Sequence, residues 1–91
     1  MLTASRLRKL LTYNRATGLF RWLVRPSKRI LVDSIAGSKR RDGFIKIGID
    51  KKSYLAHHLA VLHVTGRWPV HRVAFRNLDR NDTRWRNLRV A

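Results

Sequence analysis

Twenty-one lysines and arginines face five acidic residues, all aspartate, in a chain of 91 residues, so any fold it adopts must carry a net charge of +16 on its surface. Charge of that density repels itself, and the simplest compensation is a polyanion: DNA, RNA or an anionic membrane. The length allows one compact domain. Hydrophobic residues make up 44% of the chain and include three Trp, three Phe and two Tyr, more than a disordered basic tail carries, which implies a packed core. With no Cys there is no disulfide or thiolate zinc site to staple that core, and stability has to come from packing. No apolar run approaches membrane-spanning length and no signal-like stretch follows Met1, so a cytoplasmic protein is expected.

The hydrophobic pattern predicts an α+β chain. Leu7, Leu10 and Leu11 recur at helical spacing between Arg6, Arg8 and Lys9, with Thr3 or Ser5 as N-cap, giving a helix over Thr3 to Thr12 whose apolar stripe is read as core rather than as a membrane face. Asn14 to Gly18 is turn chemistry, and Leu19 to Val24 alternates as a strand that Pro26 ends. Ile45, Ile47 and Ile49 share one face at period two and follow the basic turn Lys39 to Gly43, which marks a hairpin. A second tight turn, Asp50 to Ser53, leads to the strongest helix, with Leu55, Leu59 and Leu62 at i, i+4, i+7 and Gly66 closing it. His71 to Arg76 is extended. Asn81 or Asp82 then caps a predicted last helix running to about Arg89, with Trp85 and Leu88 inward.

The stretch from Val73 to Arg89 resembles the HNH endonucleases of bacteriophages, whose pattern is Asp-His-x-Asn-Gly-Asp, then a short Asp-Asn-Arg segment, then Asn-Leu-Arg. Asn77, Asp79, Asp82, Arg84, Asn87, Leu88 and Arg89 fall in register with it. Upstream, Tyr54 to Ala60, Thr65 to Pro69, and Ala36-Gly37 with Arg41 to Phe44 look like further blocks of the same family. The resemblance implies a single HNH-like domain over residues 1–91: a helix, a small antiparallel sheet and a helix over 1–66, then an HNH motif of the ββα-metal type over 67–91. The central hairpin is also similar to the three-stranded sheet with which AP2-type domains enter the DNA major groove.

The departures from the family pattern concern its chemistry. Ala74-Phe75 stands where the family has Asp-His, and Thr83 where it has the middle Asn. In the family the Asp holds a divalent metal, the His deprotonates water, the middle Asn orients that His, and the position of Asn87 supplies a second metal ligand. A methyl cannot coordinate a cation and a phenyl ring cannot accept a proton, so no metal site, catalytic residue or cofactor is expected. His71 shares a predicted strand face with Phe75 but lies about 13 Å away at 3.3 Å per residue. Asp79 and Asp82 are read as turn and cap residues. His57, His58, His63 and His71 contain no i, i+4 pair, so structural zinc is not expected. His57 is read as structural, and protonated His58 or His63 as a weak phosphate contact.

The basic residues fall into a hairpin cluster, Lys39, Arg40, Arg41, Lys46, Lys51 and Lys52, and a C-terminal cluster, Arg76, Arg80, Arg84, Arg86 and Arg89. With Asn87 these are the candidate DNA contacts, and counterion release would drive their binding to phosphates. The reading is a double-stranded-DNA-binding, HNH-like protein without catalysis, encoded by a phage and working in the host cytoplasm, where it regulates or blocks a DNA process or engages a host protein. The alternatives are a metal-dependent nicking enzyme with a displaced site at Asp79, Asp82 and Asn87, and a binder of an acidic protein or of RNA, the last requiring Phe20, Trp22 and Phe44 to be exposed for stacking.

Overall fold

The computed structural model describes residues 1–90; Ala91, the end of the expected domain, lies outside them. The chain opens on helix α1 (Ala4–Leu10), where the Thr3 hydroxyl accepts the Arg6 N–H at 3.1 Å and so satisfies one of the unpaired first-turn amides. Leu7 and Leu10 are buried, which settles the amphipathic stripe as core. The helix stops two residues before Thr12 because Leu11-Thr12-Tyr13 leaves it as strand β1 (Leu11–Tyr13), paired antiparallel with β2 (Phe20–Trp22). The predicted strand from Leu19 to Val24 keeps only its centre. A turn built by Asn14, whose side-chain oxygen accepts the Ala16 and Thr17 amides, closes this hairpin.

The central sheet has the order β3 (Ser38–Lys39), β4 (Ile45–Ile49), β5 (Lys52–Leu55), all antiparallel. Ile47 and Ile49 point into the core while Lys46 and Gly48 face outward, as the period-two pattern predicts. The two-residue turn Asp50-Lys51 has φ of 52° and 67°, the paired left-handed geometry that matches the twist of a hairpin. The predicted helix start at Leu55 is corrected here: Lys52–Leu55 pairs with β4, and helix α2 (Ala56–Thr65) begins one residue later. Gly66, at φ 82°, caps it by donating to the Leu62 carbonyl. Ala56, His57, Leu59, Ala60, Val61 and Leu62 are buried, so α2 is an interior helix covered by α1 on one side and by β4 and β5 on another.

The last element differs from expectation. There is no helix from Asp82 to Arg89; Trp85–Asn87 forms one 3₁₀ turn and Leu88–Val90 is strand β7, paired antiparallel with β6 (Val73–Phe75). The i, i+3 spacing of Trp85 and Leu88 suits a single 3₁₀ turn as well as an α-helix. Tertiary pairing decides, because Phe75 opposite Leu88 buries both side chains in the core. One apolar cluster runs from Leu2 to Leu88, joining both ends of the chain.

Candidate nucleic-acid interface

Of the residues in register with the catalytic positions of the family, Phe75, Thr83 and Asn87 are packed or latched, and Ala74 is exposed. Phe75 is 8% exposed, its ring centroid 4.8 Å from that of His57 and 5.9 Å from that of Phe44. Thr83 is buried, and its hydroxyl donates to the Gly18 carbonyl at 2.7 Å while its own carbonyl accepts from the Tyr13 hydroxyl. With the Trp85 amide bonded to the Arg15 carbonyl, these contacts stitch the N-terminal hairpin to the 83–85 segment. Asn87 is also buried, which removes it from the candidate DNA contacts. Its side-chain carbonyl accepts the Asn77 N–H at 3.0 Å and its amide donates to the Asp82 carbonyl at 2.8 Å, closing the 77–82 loop onto the hairpin.

Asp82 is held by Arg84 through contacts of 2.8 and 2.7 Å and by the Asn77 amide at 2.8 Å. The Arg84 hydrogen bonds keep its carboxyl down at about 2. Asp79 accepts the Asn81 amide, as a turn residue does. A divalent metal, which the family uses, therefore finds a poor donor set. Ala74 and Phe75 offer no ligand atom, the Asn87 amide is engaged at both ends, and among the described residues no three His, Cys, Asp or Glu side chains converge. The displaced site at Asp79, Asp82 and Asn87 meets the same obstacle, since these groups are engaged within the loop.

The histidines do not form a phosphate-binding set. His57 is buried among Phe44, His58 and Phe75; burial pushes it down to about 4, with the nearby His58 adding to the shift. Its Nδ1 is the buried side-chain polar atom that has no partner among the described residues. His63 contacts the Leu11 carbonyl at 3.0 Å through Nε2, and burial lowers both it and His58, so the expected contacts from protonated His58 and His63 are disfavoured. His71 is exposed, ahead of β6.

The basic residues behave differently. Lys39, Arg40, Arg41, Lys46, Lys51, Lys52, Arg76, Arg80, Arg86 and Arg89 are all exposed, and Arg84 is half-buried against Asp82. The tertiary structure brings the two sequence clusters into contact: the Arg80 guanidinium donates to the Asp42 carbonyl at 3.1 Å and lies 5.1 Å above the Phe44 ring. Three of the five aspartates pair with arginine, Asp42 with Arg40, Asp50 with Arg6 and Asp82 with Arg84, leaving a large positive excess. Beside the hairpin cluster, the outer face of the central sheet floors an open groove of about 660 Å³. Ser38, Gly48 and Ser53 keep that floor low, with Lys46 and Arg29 beside it. Phe20 and Trp22, two of the three aromatics proposed for RNA stacking, are in the core, and half-buried Phe44 packs on His57.

Residues 54–91 match the HNH endonuclease family. The matched residues take in α2 as well as the β6–β7 pair. No curated protein and no solved structure matches the chain. The match to that family points to nucleic-acid binding or cleavage, and no helix of the described residues is long and apolar enough to cross a membrane. Sequence reading missed the latching roles of Asn87 and Thr83. No local signal marked them: Thr83 stands between Asp82 and Arg84 and Asn87 between Arg86 and Leu88, as solvent-facing polar residues do.

Proposed function

We propose that the chain binds double-stranded DNA through its merged basic clusters and does not cut it, acting as an HNH-like protein of phage origin that blocks or regulates a DNA process. The observation that carries this reading is the Arg80–Asp42 contact, which joins the hairpin cluster to the HNH-domain arginines. Arg41, Lys46, Lys51 and Lys52 on one side and Arg76, Arg86 and Arg89 on the other supply the phosphate contacts, and Arg suits bidentate contacts to phosphate or guanine. The central sheet is the candidate groove reader, in the manner of AP2-type sheets. The absence of cleavage follows from Ala74 and Phe75, which offer neither a metal ligand nor a base. Duplex DNA is favoured over RNA because Phe20 and Trp22 are committed to the core.

The test is a titration of labelled duplex DNA of about three helical turns at several salt concentrations with Mg²⁺ or Mn²⁺ present, the products being run on a denaturing gel. Salt-dependent binding with intact strands is the expected result. Nicks that appear with Mg²⁺ or Mn²⁺ and disappear with a chelator would restore the nuclease, and failure to bind the duplex would remove the DNA reading.

A further inference from the structure

Leu78 is 86% exposed and stands in the left-handed region at φ 65°, in the position where the family pattern has glycine. A side chain with a Cβ is disfavoured there, and exposing a leucine to water gains nothing in the isolated fold. The loop holds it rigidly all the same. The Leu78 N–H donates to the Phe75 carbonyl at 3.1 Å, the Asp79 N–H to the Asn77 side chain at 2.9 Å, and the Asn77 N–H to buried Asn87 at 3.0 Å. An apolar tip is thus presented beside Arg72 and Arg80.

Directly beside the tip lies an open cleft of about 600 Å³, larger than a nucleobase. Leu78 forms one wall, half-buried Phe44 supplies aromatic surface with the buried rings of His57 and Phe75 also in the lining, and exposed Ala74 leaves space. Arg72 and Arg80 are the cationic lining residues, and the Arg80 guanidinium already lies over Phe44. Apolar wedges enter base steps and unstack them, while aromatic and guanidinium planes hold unstacked bases and arginines hold the flanking phosphates.

We infer that Leu78 and this cleft form a base-extrusion device: the leucine enters the stack of a bound duplex, and the displaced base occupies the cleft with its phosphates near Arg72 and Arg80. The inference rests on the duplex-binding reading and adds a deformation of the bound DNA to it. It also explains an exposed leucine at a backbone position suited to glycine.

The test uses the full chain and a fluorescein-labelled duplex of about three helical turns, with 2-aminopurine at a central TA step, a step that unstacks readily. A second duplex carries a single mismatch there. Anisotropy reports binding, and 2-aminopurine emission reports unstacking. Expected are a several-fold rise in emission and roughly tenfold or greater preference for the mismatched duplex, whose base is already less costly to extrude. Leu78→Gly, which suits the left-handed backbone, should melt no lower than the native chain and keep matched-duplex affinity within about threefold while losing both signals. Ala74→Tyr, filling the cleft from an exposed position, should likewise lose the mismatch preference. Binding without an emission rise or mismatch preference overturns the inference, as does persistence of both signals in Leu78→Gly. No anisotropy change with either duplex overturns the duplex-binding reading itself, and this inference with it.

Discussion

At the scale of single residues, protonation links the interior of the HNH domain to its stability. His57 is neutral in the fold because burial holds it at about 4, whereas an unfolded histidine titrates near 6.5. Between those values the unfolded chain binds more protons, so this contribution is complete above about pH 6.5 and is lost as pH falls toward about 4. Proton NMR should place the His57 imidazole midpoint near 4; a midpoint at or above 6.5 would contradict its packing against Phe75 and Phe44. Asp82 acts in a lower window. Its folded value of about 2 lies below the ordinary carboxyl value of 3.8, so its contribution is present above that value and lost as pH falls through about 2. Asp82→Asn should flatten the denaturant midpoint between those limits. Asn87 bonds through both ends of its side-chain amide, and Asn87→Ala, which strands the Asn77 N–H and the Asp82 carbonyl, should cost about 2–3 kcal/mol in chemical denaturation.

At the scale of elements, the N-terminal hairpin and the HNH domain are held together at Gly18. Its φ is 76°, and a Cβ built there would stand 2.4 Å from the Arg84 amide nitrogen and 2.5 Å from the Thr83 carbonyl carbon, so both conformation and space demand glycine. Gly18→Ala should destabilise the protein by about 3 kcal/mol or more, read from its denaturant midpoint. Thr83→Val, which keeps the shape and loses the bond to the Gly18 carbonyl, should cost about 1–2 kcal/mol. Elements whose signals are local were legible in the sequence: the Thr3 cap, the Gly66 stop and the alternating isoleucines of β4. The strands β1, β5 and β7 were not, because each is a short segment whose extended form is chosen by a partner strand distant in the chain or across a tight turn.

At the scale of the whole molecule, charge dominates. If six to eight of the exposed lysines and arginines meet phosphates, log affinity should fall against log salt with a slope of about −5 to −7. Lys46→Ala on the sheet and Arg86→Ala in the HNH domain should each reduce that slope by about 1, with similar loss for every duplex sequence tested. Equal effects from the two variants in a filter or anisotropy titration would mean that both clusters contact the same duplex. An effect confined to one would mean that the Arg80–Asp42 junction joins them structurally without joining them in binding.

The amino-acid order by itself determined the mixed α/β class, the burial of Leu7, Ile47, Leu59 and Leu62, the positive surface and the HNH resemblance, because periodicity, charge and motif spacing are local properties of a chain. The same local reading found that Ala74 and Phe75 lack the chemistry of an Asp-His pair. Only the tertiary structure decided that Asn87 and Thr83 are buried latches, that the last segment is a strand, that the two basic clusters meet at Arg80, and that Leu78 stands exposed beside an aromatic cleft. Each of those depends on a contact between residues distant in the chain or on a loop that such contacts hold in place, and no local pattern encodes which partner a buried polar group will find.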